Sequence, residues 1–295
     1  MLKEVNEGYL KDRAEEYKPE TIDLEAEGIT CLNGLVYSQT EEGVLRMDVL
    51  YDEEKPGPRP VIVWVHGGGF TEEKLTRKSR PEKRFLTIMR EGYAFASIDY
   101  HLSQVRPFPS QIQDIKCAVR YLRAHADILG IDPDRIGVWG ESCGGQLAAL
   151  MSVQGGIEGF EDVGGYEGIS SDIKAAVSWY GALDVMEFHN QRMEVDEVYP
   201  KRFEIMYGGK PEDKLDLLKT ANPLTYAGDR DICPLLAMCS DSDPRVPWTV
   251  NLAFCKKVTE RGGIAEFHPV PLQGHGYFEG EEYDKLVREF IYKYL

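Results

Sequence analysis

The chain has 295 residues, a length that allows one large α/β domain with a small insertion or two modest domains. Its 34 Lys and Arg against 50 Asp and Glu give a net charge of -16, which disfavours nucleic acid and anionic membrane surfaces as partners. No stretch approaches the roughly 18 apolar residues of a membrane span, and the charged N-terminus lacks a signal-peptide apolar segment. We therefore expect a cytoplasmic protein with no nucleic-acid or membrane partner.

The six cysteines include no Cys-x-x-Cys pair, and the chain is far larger than the small domains that depend on disulfides. Cys117 and Cys255 lie within apolar helical patterns and are expected to be buried thiols. The sequence shows no zinc-type cluster of His and Cys and no phosphate-binding Walker pattern. We therefore expect neither a metal ion nor an organic cofactor.

The strand candidates begin after a charged, helix-prone segment, residues 1–28, which is expected to form a surface arm. Two β-rich runs follow and are separated by a hairpin-like connection. The later candidates are mostly the continuous apolar runs that are typical of buried strands. In chain order, the eight candidates are residues 29–37, 44–51, 61–65, 93–98, 136–139, 175–179, 235–238 and 265–270.

Helical patterns separate most of these strands. Apolar residues at spacings of three and four predict a long helix that starts at Ser110 and stops at Gly130. Further helices are predicted from Gln146 and over residues 248–261. Such alternation implies a mostly parallel sheet of about eight strands covered by helices on both faces, with an antiparallel hairpin at the edge. The fold class is therefore α/β, in a single domain over residues 1–295.

Two stretches interrupt this rhythm. Residues 155–171 are rich in Gly and acidic side chains and are expected to form a mobile loop. Residues 184–222 are polar with scattered methionines and aromatics, which favours a helical insertion over the C-terminal edge of the sheet. Whether this insertion is a cap over the substrate or only a connection stays open at this point.

The strongest chemical motif is Gly-Glu-Ser-Cys-Gly at residues 140–144. A strand candidate precedes it and a helix candidate follows it, and a sharp strand-to-helix turn needs small residues around the serine. The turn places the hydroxyl at a helix N-terminus, where the dipole favours developing negative charge. We therefore predict that Ser142 is a nucleophile. The competing interpretation is an ordinary glycine-rich turn with a capping serine.

A second motif, His-Gly-Gly-Gly-Phe at residues 66–70, directly follows the strand candidate 61–65. Glycines let backbone amides turn inward, and a tetrahedral acyl intermediate needs fixed N–H donors about 3 Å from its oxyanion. The motif thus predicts an oxyanion-binding loop. The alternative is a flexible loop after a strand. This alternative is less favoured because the serine motif at residues 140–144 follows later in the chain.

A nucleophilic serine needs a base, and the base needs an acid to orient it. His275 lies in the glycine-flanked segment 273–277, after the last strand candidate, where an imidazole can reach both nucleophile and leaving group. Asp243 lies in a loop after the strand candidate 235–238. The order Ser142, Asp243, His275 is the order used by hydrolases with this strand–turn–helix motif.

Two other carboxylates compete for the role of the acid, because Asp241 and Asp184 also lie near the ends of strand candidates. Asp243 is favoured because Pro244 and Pro247 stiffen the backbone where its side chain must be aimed. Asp241 has a simpler role available, as a turn residue that accepts backbone N–H bonds.

From residue 44 to its end, the chain resembles the esterase and lipase branch of the α/β-hydrolases, with bacterial carboxylesterases of the feruloyl-esterase and hormone-sensitive-lipase types as the nearest likeness. The resemblance rests on ordered blocks: residues 66–70, 98–100, 108–114, 131–136, 140–144, 243–247 and 274–276. Three positions depart from the family pattern. Arg is usual where His101 stands, Ala is usual where Cys143 stands, and His-Gly usually opens the acid loop, where Cys239 and Ser240 stand. These departures concern substrate preference, because no catalytic group is lost.

The resemblance implies that the oxyanion donors are the amides of Gly68, Gly69 and Cys143. Phe70 and the insertion together suggest a small, partly closed pocket, which makes Phe70 a candidate substrate-binding residue. The expected activity is a serine carboxylesterase acting on small-molecule esters through an acyl-enzyme, and the sequence is compatible with a homodimer. Alternatives are a feruloyl, acetyl-xylan or acetyl-sugar esterase, a peptidase, and a non-catalytic binder with the same fold.

Overall fold

The computed structural model describes all residues except 1–20 and 277. Most of the expected surface arm, residues 1–28, therefore lies outside the described residues. Its described end forms a turn that leads into the first strand. In this turn, the Ile22 backbone N–H donates to a carboxylate oxygen of Glu82 at 3.1 Å. The described end of the segment is thus held against the rest of the protein.

One sheet of eight strands runs through the described part of the chain: β1 (Ile29–Thr40), β2 (Gly43–Asp52), β3 (Arg59–Val65), β4 (Ala94–Ile98), β5 (Ile131–Glu141), β6 (Ala175–Trp179), β7 (Leu235–Ser240) and β8 (Ala265–Val270). Its order is β1-β2-β4-β3-β5-β6-β7-β8. β1 pairs antiparallel with β2, as does β2 with β4, and all other neighbours are parallel. The predicted α/β class, with a mostly parallel sheet of eight strands and an antiparallel edge hairpin, is confirmed.

Helices fill most connections between these strands. In chain order, the described helices are α1 (Glu82–Arg90), α2 (Ser110–Ala124), α3 (Ala126–Leu129), α4 (Cys143–Met151), α5 (Val185–Val195), α6 (Tyr199–Tyr207), a 3₁₀ turn (Pro211–Asp213), α7 (Leu215–Thr220), α8 (Pro223–Tyr226), α9 (Trp248–Glu260) and α10 (Glu281–Tyr294). Helices α2 and α4 lie against β5, whereas α9 lies against β7 and β8.

The central strands are buried along their whole length, which explains why their sequences are continuous apolar runs. Three tryptophans on neighbouring strands join them edge to face. The ring centroids of Trp64 and Trp139 are 5.5 Å apart, and those of Trp139 and Trp179 are 4.8 Å apart. This packing fixes β3, β5 and β6 relative to one another, and the predicted oxyanion loop and the nucleophile directly follow β3 and β5.

The largest differences from the sequence prediction are at β5 and at the long helix before it. β5 already begins at Ile131, because that residue pairs with Arg59 before a shift in register. The long helix predicted up to Gly130 is interrupted at His125, which separates α2 from α3. Its predicted stop is confirmed, because Gly130 ends α3 with a φ of 63°, a conformation that glycine adopts without strain.

The glycine-rich loop of residues 155–171 contains neither helix nor strand, yet side chains of α2 hold it in place. The Arg120 Nε donates to the Gly165 carbonyl at 3.0 Å, and Lys116 pairs with Glu161 at 2.5 Å. Phe160 within the loop is only 2% exposed. These contacts favour an anchored loop, in contrast to the mobility expected from its composition.

Candidate active site

Ser142 occupies the sharp turn between β5 and α4. Its φ of 52° and ψ of -120° are strained for a residue with a side chain, as in hydrolases whose nucleophile lies at such a turn. The Ser142 backbone N–H donates to the Trp179 carbonyl at 2.9 Å, which ties the turn to the end of β6. The hydroxyl therefore projects from a rigid point at the carboxyl edge of the sheet.

The glycines around Ser142 are required by close backbone contacts. A Cβ on Gly140 would lie 2.1 Å from the Gly144 carbonyl oxygen. A Cβ on Gly144 would lie 2.2 Å from the Val65 carbonyl oxygen of β3. Any side chain at these positions would force the strands and the helix apart, which gives the predicted motif a steric cause.

The structure brings Ser142, His275 and Asp243 together, although they are far apart in sequence. The His275 Nε2 lies 3.0 Å from the Ser142 Oγ, and its Nδ1 lies 2.7 Å from the Asp243 Oδ2. The His275 side chain is 9% exposed, and that of Asp243 is fully buried. With Nδ1–H donating to Asp243, the Nε2 lone pair is available to accept the serine proton.

The loop after β7 aims the Asp243 carboxylate. Its Oδ1 accepts backbone N–H bonds from Arg245 at 2.8 Å and Val246 at 2.9 Å. The Oδ2 is thereby left to face His275. This arrangement explains why the aspartate precedes a short, proline-stiffened segment.

The two competing carboxylates have other partners. The Asp241 Oδ1 accepts the Leu272 backbone N–H at 2.8 Å, and this bond joins the loop after β7 to the loop after β8. Asp184 caps the N-terminus of α5, where its side chain accepts the Glu187 backbone N–H. Of the three candidate acids, only Asp243 bonds to His275 within the part of the chain that the structure describes.

Sequence reasoning missed a hydroxyl that holds the His275 loop. The buried Ser240 Oγ accepts the backbone N–H groups of Gln273 at 3.0 Å and Gly274 at 3.1 Å. The Gly274 N–H also lies 3.2 Å from the Ser242 Oγ. We call Ser240, Ser242 and these two amides the loop clasp. The sequence did show that Cys239 and Ser240 replace the family's usual His-Gly here. It could not show that the Ser240 hydroxyl bonds to the loop that contains His275.

The predicted oxyanion loop follows β3 as expected. Gly68 and Gly69 have φ values of 107° and 57°, where a side chain would be strained. The preceding Gly67 N–H is already engaged by the Glu141 Oε1 at 3.1 Å. Phe70 also has a positive φ, 63°, and its side chain is 3% exposed in the core.

Cys143 supplies the first amide of α4, and its thiol lies 3.6 Å from the Tyr100 hydroxyl. A helix N-terminus lowers a thiol pKa, but burial is the larger effect and raises the pKa of Cys143 to about 11. The thiol is therefore protonated near neutral pH. This protonation state makes the sulfur a poor rival to Ser142 as a nucleophile.

Residues 184–222 lie beside α4, the helix that follows Ser142. The Gln146 side chain of α4 donates to the Ala221 carbonyl at 3.3 Å. The Phe108 N–H donates to the Met206 carbonyl of α6 at 2.8 Å. The insertion thus contacts both α4 and the segment that leads into α2.

The described residues contain no group of three or more His, Cys, Asp or Glu that could hold a metal ion. None of their helices is long and apolar enough to cross a membrane. All six cysteines are free thiols, and Cys117 and Cys255 are buried as predicted.

A family model and several relatives match this chain. The model of the BD-FAE family matches residues 47–258, more than two thirds of the chain. Esterase LipQ of Mycobacterium tuberculosis is 28% identical over 209 residues, which is 70% of this chain and 48% of that protein. Carboxylesterase NlhH of the same organism is 37% identical over 93 residues, 32% of this chain and 28% of that protein. The chain thus matches less than half the length of these curated relatives.

Solved structures show the same fold. The bifunctional GH43-CE protein of Bacteroides eggerthii has a TM-score of 0.78 and 26% identity, covering 90% of this chain and 38% of that one. The propionate-bound esterase Est2 of Thermogutta terrifontis has a TM-score of 0.70 and 22% identity, covering 90% and 94%. Because the BD-FAE model covers more than two thirds of it, this chain belongs to the BD-FAE family, within the esterase and lipase branch of the α/β-hydrolases.

Proposed function

We propose that this protein is a serine carboxylesterase that hydrolyses small carboxylic esters. The observation that carries the proposal is the bridge made by His275, which contacts Ser142 through one ring nitrogen and Asp243 through the other. Membership of the BD-FAE family and the names of the relatives, which include esterases and a carboxylesterase, support the same activity. No metal or organic cofactor enters the proposed reaction.

In the first half of the proposed reaction, the Ser142 Oγ attacks the ester carbonyl carbon while the His275 Nε2 takes the hydroxyl proton. Asp243 holds the imidazole in register and stabilises its charged form. The amides of Gly68, Gly69 and Cys143 stabilise the oxyanion of the tetrahedral intermediate. When the intermediate collapses, His275 gives its proton to the leaving alcohol and an acyl-enzyme remains.

In the second half, His275 takes a proton from water, and the resulting hydroxide equivalent attacks the acyl carbon. A second tetrahedral intermediate forms and uses the same amides. Its collapse breaks the bond to the Ser142 Oγ, which regains the proton from His275 as the carboxylic acid leaves. The enzyme returns to its starting state with no net change.

We further propose that residues 184–222 cover the substrate and, with Phe70, keep the pocket small. Acetyl to butyryl esters should then react faster than decanoyl esters.

A reducing compartment such as the cytoplasm suits the six free cysteines. We propose that residues 1–295 form one catalytic domain.

A second candidate is an esterase for feruloyl groups or acetylated sugars, favoured by the likeness to the bifunctional GH43-CE protein. It uses the same triad and differs only in the pocket. A panel of p-nitrophenyl esters from acetyl to decanoyl, together with methyl ferulate and acetylated xylan, separates it from a general carboxylesterase. A chain inert on every ester would instead favour the peptidase or the non-catalytic binder.

The decisive experiment replaces the nucleophile. We expect Ser142→Ala to lower kcat on p-nitrophenyl butyrate by about 10⁴-fold or more, because the triad acts as a unit. A fluorophosphonate should label Ser142 in the wild-type chain, as located by peptide mass spectrometry, and should label nothing in the variant. The exposed Ser170→Ala is the matched control and should behave as wild type. Persistent labelling or turnover in Ser142→Ala would refute the assignment.

A further inference from the structure

The residue before the nucleophile carries a buried carboxylate that bonds to two separate groups among the described residues. Glu141 is 7% exposed at the end of β5. Its Oε1 accepts the Gly67 backbone N–H at 3.1 Å, and its Oε2 accepts the Tyr180 hydroxyl at 2.7 Å. Burial of a carboxylate is costly unless its oxygens are bonded, so these partners hold the side chain in one place. One carboxylate therefore spans the oxyanion loop and the end of β6.

The Tyr180 side chain continues this connection to the base. Its ring lies edge-on to the His275 imidazole, with centroids 4.8 Å apart and an angle of 63° between the planes. Tyr180 is 1% exposed and has a φ of 39°, a strained value for a residue with a side chain. Such strain persists only where surrounding contacts fix it. Here those contacts include the bond to Glu141 and the packing against His275.

At its other end, Glu141 helps to orient a peptide that contains a proposed oxyanion donor. The Gly67 N–H bonds to Glu141, and the Gly67 carbonyl accepts the Tyr100 hydroxyl at 3.2 Å. In a planar trans peptide, a carbonyl and the next N–H point in opposite directions. Fixing both sides of Gly67 therefore sets the direction in which the Gly68 N–H points.

We propose that Glu141 is a positioning residue that holds the oxyanion loop and, through Tyr180, the general base in one arrangement. This inference rests on the proposed function, because it assigns Glu141 to the support of that triad and oxyanion hole. Glu141 does not touch the reacting atoms. Its effect on rate comes from keeping the Gly68 amide and the His275 ring in place, and such placement has large effects on rate.

Two substitutions of Glu141 distinguish an effect of its hydrogen bonds from an effect of its charge. Glu141→Ala removes both acceptors, so the Gly67 amide and the Tyr180 hydroxyl lose their shared partner. Glu141→Gln keeps an oxygen for the Gly67 N–H and offers an amide N–H to the Tyr180 oxygen, which preserves the geometry without the charge. If position matters, the glutamine variant should retain most of the activity that the alanine variant loses.

The experiment measures kcat, KM and the pH profile on p-nitrophenyl butyrate. We expect Glu141→Ala to lower kcat by about 50-fold, with KM within about threefold. This loss is smaller than the roughly 10²–10³-fold loss caused by removing an oxyanion donor, because the Gly68 amide is displaced but still present. Glu141→Gln should stay within about fivefold of wild type, with an unchanged pH profile. Tyr180→Phe should lose about fivefold, and adding it to Glu141→Ala should cost little more, because both act through one connection.

A second readout keeps this inference separate from the proposed function. The rate at which a fluorophosphonate labels Ser142 needs a placed base and oxyanion loop but no particular ester. We expect it to fall in the same order among the variants, even if wild type turns over none of the esters. Full activity in Glu141→Ala would overturn the inference. So would a Glu141→Gln profile shifted to lower pH, since that would assign the effect to charge on the imidazolium.

Discussion

At the scale of single residues, the site depends on which carboxylate reaches the imidazole. Three aspartates were candidates, and the distances separate them clearly. Asp243 lies 2.7 Å from the His275 Nδ1, whereas Asp241 bonds the Leu272 amide and Asp184 caps α5. The buried Asp243 carboxylate is held by two backbone N–H groups. Because it faces the His275 Nδ1, it fixes the tautomer that lets Nε2 act as a base.

We therefore predict that Asp243→Asn lowers kcat by about 10³–10⁴-fold, because an amide at this point favours the wrong imidazole tautomer. Asp241→Asn and Asp184→Asn are the matched controls and should stay within about tenfold, because neither touches His275. The measurement is kcat for the three purified variants on one short ester, with circular dichroism to confirm the fold. A large loss in either control, with Asp243→Asn nearly unaffected, would show that the acid is misassigned.

The sequence was sufficient to identify the residues of the proposed triad because each lies next to an interpretable local pattern. Ser142 has a strand before it and a helix after it, and His275 and Asp243 lie in loops that follow strands. Glu141 and Tyr180 have no such pattern. Glu141 occupies the variable position of its motif, and only the folded chain places both of its oxygens against partners far away in sequence.

At the scale of elements, the loop that contains Asp243 and the loop that contains His275 hold each other in position. These loops follow the neighbouring strands β7 and β8. The loop clasp joins them, because the Ser240 Oγ accepts hydrogen bonds from two consecutive backbone amides, those of Gln273 and Gly274. The second of these amides directly precedes His275. The position of the imidazole is therefore set by the loop after β7 as well as by its own loop.

We predict that Ser240→Ala lowers kcat by about tenfold with little change in KM, since a displaced loop misplaces the base without removing it. The variant should also lose about 1 kcal/mol of unfolding free energy, because the part-buried Gln273 N–H loses its bond to the Ser240 hydroxyl. Ser242→Ala is the matched control and should lose less than threefold in kcat, because the Gly274 N–H still donates to the Ser240 Oγ. Steady-state kinetics and urea unfolding measure both effects. Equal losses in the two variants would contradict a dominant role for Ser240.

The strands could be predicted from sequence more closely than the connections. β6 and β8 match their predicted bounds because each is a short β-rich run between turns. The break at His125 was missed because the apolar spacing continues through it. The insertion was recognised by composition, but its contacts with α4 and Phe108 depend on tertiary packing.

At the scale of the whole molecule, a strongly acidic chain contains a compact network of buried charges. Asp48 on β2 is 1% exposed and accepts bonds from Arg77 at 2.8 Å and Arg80 at 2.7 Å. Arg77 also pairs with Asp99, just after β4, and Arg80 with Glu82, at the start of α1. The network joins the antiparallel edge of the sheet to the segment after the oxyanion loop.

Asp48 makes the stability of this edge depend on pH. Burial alone would raise the pKa of its carboxyl, but hydrogen bonds from Arg77 and Arg80 outweigh burial and hold the pKa below its usual value. A group with a lowered pKa in the folded state stabilises the protein above its unfolded pKa of about 4. That contribution is lost as the pH falls through the folded value and the carboxylate takes up a proton.

We predict that Asp48→Asn lowers the free energy of unfolding at pH 7 by about 3 kcal/mol, because two largely buried arginines lose their shared counter-charge. Urea unfolding followed by circular dichroism, at pH steps from 7 down to 3, measures the difference. The gap between wild type and variant should be constant above about pH 5 and narrow below about pH 4, where wild type loses the same charge by protonation. Asp216→Asn, which breaks an exposed pair with Lys219, should leave the free energy of unfolding nearly unchanged at every pH. A gap that widens on acidification would mean that the folded state raises the pKa of Asp48, and the network would then not depend on the charge of this carboxylate.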